Sequence, residues 1–227
     1  MQVSGSNPGI LGEQGISIFG QSRAIICFKI AHGCRYADDG LVHCKTLKQA
    51  EELLEELKER FAACGLELHP RKTKIVYCKD DKRQGNYPET KFDFLGYTFR
   101  SRHVRNQQTD KLFVGFTPAV SETSKKSMRK KTRKLNWRNR TDLSLEEIAQ
   151  RYNPVLRGWL NYYGRYNRSA MYPVWRHFNK TLVAWAMAKY KSLKGRKIKT
   201  SLLLEEIART SPGLFAHWKS GMKGSFA

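Results

Sequence analysis

Residues 35–44 read RYADDGLVHC, two short strand-forming arms separated by an acidic turn. Asp-Asp-Gly has the turn chemistry that joins antiparallel strands, so the pattern predicts a β-hairpin with Asp38 and Asp39 at its tip. Adjacent carboxylates are the hard oxygen ligands that Mg²⁺ requires for phosphoryl transfer. The tip is therefore a candidate metal site, and an ordinary tight turn is the alternative, because Asp is common in turns.

The segment after the hairpin predicts an amphipathic helix over residues 46–64. Thr46 and Gln49 have the spacing of a capping box, and Gly65 is a stop signal. Apolar residues recur at helical spacing along one stripe, which predicts that the helix packs on a sheet. The stripe consists of Ala50, Leu53, Leu54, Leu57, Phe61 and Cys64.

Further strands are predicted around residues 75–78, in FDFLGYTF (92–99) and in KLFVGF (111–116). Together with the hairpin and the helix, they predict an α+β unit with a mainly antiparallel sheet over residues 31–118. Residues 1–30 begin Gly- and Ser-rich and predict a poorly ordered leader that runs into one strand.

The pattern becomes helical after Pro118. A basic segment, 121–137, precedes a helix at 144–163 that opens with a second capping box and contains Pro154, where we expect a kink. A third helix is predicted from Pro173, with Val174, Phe178, Leu182 and Trp185 facing inward, and a fourth at 201–209. Residues 119–227 therefore predict an α-helical bundle.

Charge is distributed unevenly along the chain. The net charge is +22, and residues 91–227 hold 29 Lys and Arg against 8 Asp and Glu. Such an excess favours a polyanionic partner, and the alternative is an ordinary basic surface with the aromatic side chains in the core. The densest run comprises Lys125, Lys126, Arg129, Lys130, Lys131, Arg133 and Lys134, which forms either a helix that follows a phosphate backbone or a disordered basic arm. Nearby aromatic side chains are candidates for stacking on bases: Trp137, Trp159, Tyr162, Tyr163, Tyr166 and Trp175.

Two broad classes of protein are disfavoured by the sequence. No apolar run approaches the roughly 18 to 20 residues that cross a bilayer, so we expect no membrane association. Five cysteines without a CxxC pair indicate neither a disulfide framework nor a zinc site, and we expect reduced thiols in the core.

Four sequence blocks, which follow one another along the chain, resemble the blocks of one protein family. YADD at 36–39 is similar to the polymerase box of reverse transcriptases, and GLELHPRKTKIVYC (65–78) and FDFLGYTF are similar to the next block and the primer-grip block of group II intron reverse transcriptases. Residues 155–190, beginning VLRGWLNYYGRY, resemble the maturase-specific region, domain X. The resemblance implies part of a polymerase palm followed by a helical thumb that grips intron RNA.

The resemblance also implies roles for individual residues. Asp38 and Asp39 match the metal-binding pair, with Mg²⁺ as cofactor, and Tyr36 matches a residue near the incoming nucleotide. Lys72 matches a lysine near the nucleotide phosphates, with Lys74 as its rival and a solvated basic loop as the alternative. Phe94, Leu95 and Gly96 match the primer-grip hairpin. The RNA-binding matches are Arg157, Trp159, Asn161, Tyr162, Tyr163 and Arg165. The alternative for Phe94 and Leu95 is an ordinary role in the hydrophobic core, and for Leu95 we favour that alternative. The alternative for Gly96 is a glycine that is needed because another part of the chain approaches closely. Trp159 and Tyr163 share a helical face, so we expect at least one of them in the core.

The chain departs from the family before the hairpin. The family's polymerase site takes a third carboxylate from a preceding strand, but residues 1–35 contain one acidic residue, Glu13. We therefore expect no polymerase activity from this chain alone. Three functions stay open: an RNA-binding maturase that assists intron splicing and mobility, an active RNA-directed DNA polymerase, and an inert remnant. The expected partners are group II intron RNA, a DNA target or primer, and a second chain carrying the missing palm and fingers, in a cytoplasmic ribonucleoprotein.

Overall fold

The computed structural model describes residues 16–21, 33–36, 39–83, 85–106, 108–221, 223, 225 and 226. The chain forms two compact units, Met1–Phe94 with Phe99–Thr117, and Leu95–Thr98 with Pro118–Ala227. The main division follows Thr117, where the sequence changes from strands to helices. The functional limits of the domains stay predictions.

The first unit contains a four-stranded antiparallel sheet. Its strands are β1 (Ile16–Gln21), β2 (Gly33–Tyr36), β3 (Asp39–Cys44) and β4 (Lys74–Tyr77), in the order β2-β3-β1-β4. β2 and β3 pair with Tyr36 opposite Asp39, which confirms the hairpin, but Asp39 and Gly40, which were predicted in the turn, are the first residues of β3. Asp38 lies outside the described residues, as does most of the predicted leader. The described part of that leader, 16–21, is strand β1, so its prediction as poorly ordered was wrong because it pairs with β3 and β4.

Helix α1 (Leu47–Ala63) packs on this sheet. The Thr46 hydroxyl accepts a hydrogen bond from the Gln49 amide at 3.2 Å, which satisfies an amide left free at the helix start. Ala50, Leu53, Leu57 and Phe61 are buried with Val42 and Cys44 of β3, as the stripe predicted. Cys64 is exposed, so its assignment to the stripe and the core was wrong, because the helix ends one residue earlier.

A second sheet has the strand order β5-β6-β7, with β5 at Lys91–Phe94, β6 at Tyr97–Arg105 and β7 at Leu112–Val120. The strand pattern predicted FDFLGYTF as one strand, and this was wrong, whereas the hairpin that the resemblance implied at 94–96 is present. Leu95 and Gly96 both have positive φ, 48° and 79°, which is the backbone of a tight type I′ hairpin turn. Glycine adopts such angles without steric cost, so the chain reverses here.

The second unit is helical. Its helices are α2 (Glu122–Lys134), α3 (Leu145–Tyr163), α4 (Tyr172–Lys189), α5 (Lys197–Thr210) and α6 (Ala216–Lys219). The capping box of Ser144 and Glu147 is confirmed, and Pro154 lies within α3. α5 begins four residues before the predicted 201, and α6 was not predicted.

The core of this unit is rich in aromatic side chains. Val174, Phe178, Leu182 and Trp185 of α4 are buried, as predicted. Trp137 and Trp175 are buried too, so their prediction as base-stacking faces was wrong: they fill the interior. Within the described part of the chain, no helix has the length and apolar run needed to cross a bilayer.

Candidate nucleic-acid interface

The turn at Leu95 and Gly96 is anchored to the helices through its two carbonyls. The Gly96 carbonyl accepts hydrogen bonds from the Ser121 amide at 2.9 Å and the Ser124 hydroxyl at 3.0 Å. The Leu95 carbonyl accepts one from the Tyr162 hydroxyl at 2.9 Å. Ser121 also caps α2, so the same short segment starts the helix and holds the turn.

Gly96 approaches the helices too closely for a side chain. A Cβ atom at this position would lie 2.9 Å from the Ser124 hydroxyl oxygen and 3.0 Å from the Tyr163 hydroxyl oxygen. Together with its φ of 79°, this contact makes glycine the residue that fits. The geometry agrees with the alternative given for Gly96, a glycine that is needed for close approach. Leu95 is half-buried, and Phe94, which belongs to the first unit, is buried.

Four tyrosines surround the turn. The ring of Tyr97 lies 5.4 Å from Tyr162, 5.6 Å from Tyr163 and 5.5 Å from Tyr166, and its hydroxyl donates to the Tyr162 carbonyl. Burial, with Tyr162 and Tyr166 nearby, raises the pKa of Tyr97 to about 12. The structure thus joins Leu95 and Gly96 of one predicted block to Tyr162 and Tyr163 of another.

Helix α2 carries the densest positive charge. It is a helix and not a disordered arm, with Met128 and Thr132 buried on its inner face. Lys125 is largely buried and paired with Glu122, the acidic residue of the first turn. The other six basic residues make no ion pair within the described residues: Lys126, Arg129, Lys130, Lys131, Arg133 and Lys134.

This field of positive charge acts on a neighbouring helix. The pKa of His177 on α4 is lowered, first by burial and then by Arg133 and Arg129. A cationic imidazole is disfavoured beside guanidinium groups, whereas a phosphate would be favoured there.

The predicted contacts of α3 divide between surface and interior. Arg157, Asn161 and Tyr162 on the helix, and Arg165 in the turn after it, are exposed. Arg157 and Asn161 are one helical turn apart and share a face. Trp159 and Tyr163 share a face and pack against the core, but both are only half-buried, so the expectation that at least one of them lies in the core was wrong.

Asp39 is the described member of the acidic pair. Its Oδ1 atom is buried and has no hydrogen-bond partner among the described residues. A buried carboxylate oxygen without a donor is costly, and a divalent cation would satisfy it. Asp39 therefore fits a role as a Mg²⁺ ligand, with Tyr36 exposed on the paired strand. Among the residues that the structure describes, no three His, Cys, Asp or Glu side chains are grouped as metal ligands, and Asp38 is outside that search.

β1 is the described strand that pairs with β3 on the side away from β2. β1 pairs antiparallel with β3, and its last residue, Gln21, is opposite Asp39 in the register. β1 has the sequence ISIFGQ, without a carboxylate. Of the two lysine candidates, Lys72 is exposed, and Lys74 donates to Glu89 at 2.8 Å.

Two family models match consecutive parts of the chain. Residues 21–99 match the reverse transcriptase (RNA-dependent DNA polymerase) family, and residues 125–203 match the group II intron, maturase-specific domain. The chain belongs to the group II intron reverse transcriptase/maturase family. The first match covers the β2-β3 hairpin and extends into β6. The maturase-specific match begins at Lys125 and includes most of α2, all of α3 and α4, and the start of α5. No curated protein matches the chain significantly.

Three residues of the interface between the turn and the maturase-specific helices were missed from the sequence. They are Tyr97, Ser121 and Ser124, which contact residues far along the chain. Ser121 carried one local signal, since Ser before a helix is typical of an N-cap. Nothing local indicates the partners of the other two.

Proposed function

We propose that this chain binds group II intron RNA through its helical unit and assists splicing of that intron, within a cytoplasmic ribonucleoprotein. The observation that carries the proposal is the unpaired positive charge of α2. Residues 119–227 hold 24 Lys and Arg against 6 Asp and Glu, and six cations of α2 have no ion pair among the described residues. Cations without a protein partner are available to phosphates.

The geometry supports different roles in RNA binding for helices α2 and α3. Lys126, Lys130 and Lys134 are exposed at intervals of one helical turn, a spacing that suits successive phosphates. Arg157 and Asn161 of α3 combine a cation with an amide, which can hydrogen-bond to base edges in unpaired loops. We therefore assign general affinity to α2 and preference for the cognate intron to α3.

The proposal is tested by measuring the affinity for a folded intron RNA across a salt series. Six phosphate contacts predict a slope of about −4.2 to −5.4 in log affinity against log salt, or roughly a 300- to 2,000-fold loss between 50 and 200 mM. Changing Lys126, Lys130 and Lys134 to Gln should reduce that slope by about 2 to 3.

A matched control removes three positive charges from the first unit. Lys48, Lys58 and Lys82 are exposed there, and their change to Gln should leave the slope unaltered. A flat salt response of the unsubstituted chain, or equal effects of the two triple variants, would contradict the proposal.

DNA synthesis is a second candidate function, favoured by the unpaired oxygen of Asp39. In this proposal Asp38 and Asp39 hold Mg²⁺, which when bound would neutralise charge on a nucleotide phosphate. Both carboxylates come from one hairpin, and in the strand register Gln21 of β1 is the residue opposite Asp39. Two ligands on one hairpin do not by themselves fix two metal ions, so we propose that this chain alone does not extend primers.

A further inference from the structure

A groove of about 420 Å³ lies between α2 and α3. Helix α2 contributes one wall, and the indole of Trp159 and the phenol ring of Tyr163, one turn apart on α3, contribute the other. The lining residues from α2 are Thr123, Ser124, Ser127, Met128 and Lys131. The volume is within the range of small-molecule sites, roughly 300 to 1,000 Å³.

Several polar groups in this groove are not used by the fold. The hydroxyls of Thr123 and Ser127 make no hydrogen bond, and Lys131 makes no ion pair, within the described part of the chain. Ser124 differs, because its hydroxyl holds the Gly96 carbonyl. Among the described residues, the groove therefore offers the Thr123 and Ser127 hydroxyls and the Lys131 ammonium group beside two aromatic rings.

We propose that this groove binds one unstacked nucleotide of the RNA, with its base against Trp159 and Tyr163 and its phosphate at Lys131. Aromatic rings stack on any base, hydroxyls can hydrogen-bond to base edges, and an ammonium group pairs with phosphate. The two rings are half-buried, so a base that is stacked within a duplex does not reach them. The occupant is a nucleotide from a loop, a bulge or a single strand.

The inference rests on the proposed RNA binding, and its test separates the two. The probes are a short abasic ribose-phosphate oligomer and the same oligomer with a single 2-aminopurine base at its centre. They carry the same phosphates and differ by one base. The full chain should bind the base-containing oligomer roughly 5- to 150-fold more tightly, as expected for one stacked base, and should quench its fluorescence.

Ser127→Phe fills the groove without changing the charge. It should abolish the advantage of the base-containing oligomer, measured as the ratio of the two affinities. Ala188→Phe adds an aromatic ring at an exposed position of α4 and should keep the advantage.

Equal affinity of the unsubstituted chain for the two probes overturns the inference and leaves the proposed function intact. An advantage that survives in Ser127→Phe also overturns it. If the chain binds neither probe, even at low salt, the proposed RNA binding fails and the inference fails with it. Quenching of 2-aminopurine by the unsubstituted chain is a readout that needs no variant.

Discussion

His217 makes the stability of the helical unit depend on pH. Its imidazole is fully buried, stacked on Trp175 at 5.2 Å and perpendicular to Phe178 at 5.4 Å. Nε2 lies 2.9 Å from Oδ1 of Asn179, whose side-chain amide group donates to the Lys223 carbonyl. Oδ1 is therefore the acceptor, Nε2 carries the proton, and Nδ1 is left buried without a partner among the described residues.

Burial lowers the pKa of His217 from its ordinary 6.5 to about 3. The unfolded chain therefore binds a proton that the folded chain rejects, so the free energy of unfolding falls as pH falls below 6.5 and continues to fall until about pH 3. A pKa difference of one unit between the folded and unfolded chain corresponds to about 1.36 kcal/mol in the free energy of unfolding. Between pH 7 and pH 5 the expected loss from this group is about 2 kcal/mol.

The assay is urea unfolding at several pH values between 7 and 5, followed by tryptophan fluorescence, because four tryptophans are buried in this unit. His217→Gln keeps an N–H for Asn179 but cannot be protonated, so its free energy of unfolding should lose about 2 kcal/mol less over this range. His103→Gln, at an exposed position of β6, is the control and should retain the full dependence. A His217→Gln variant with the pH dependence of the unsubstituted chain would refute the reasoning. His177, whose pKa is also lowered, contributes with the same sign and stays in both variants.

Three further predictions follow from the turn, the surface of α3 and the hairpin. Gly65→Ala should lower the free energy of unfolding by about 1 to 2 kcal/mol because of its positive φ alone, since nothing lies within 4 Å of the new Cβ. Gly96→Ala should lower it by about 1 to 3 kcal/mol more, because the new Cβ would meet Ser124 and Tyr163. Equal losses for the two variants in chemical denaturation would contradict the close approach at Gly96. Arg157→Gln should reduce the preference for cognate over scrambled intron RNA in a competition assay, and an equal effect on both RNAs would count against a specific reader. The purified chain should extend no primer on an RNA template with Mg²⁺ or Mn²⁺; extension that disappears in Asp38→Asn would show that another carboxylate completes the site.

Local sequence was sufficient for much of the fold. The start of α1, the capping box of α3 and the inward face of α4 depend on contacts between residues about four positions apart, so their patterns are visible in the chain itself. The β2-β3 hairpin follows from turn chemistry in the same way. The family resemblance and the excess of positive charge were also evident from the sequence alone, and both pointed to nucleic acid.

Tertiary structure decided which of the candidate side chains lie together and which are buried. Gly96 meets Ser124, and Leu95 meets Tyr162, across 28 and 67 positions of sequence. Trp175 and Trp159 look alike in the sequence, yet the first is fully buried and the second lines a groove. The pairing of β1 with β3 places Gln21 opposite Asp39 in the register. This pairing likewise depends on the tertiary fold, because the two strands are separated in sequence by β2. Contacts of this kind arise when distant elements pack, and no periodicity or capping signal within one element specifies its partner.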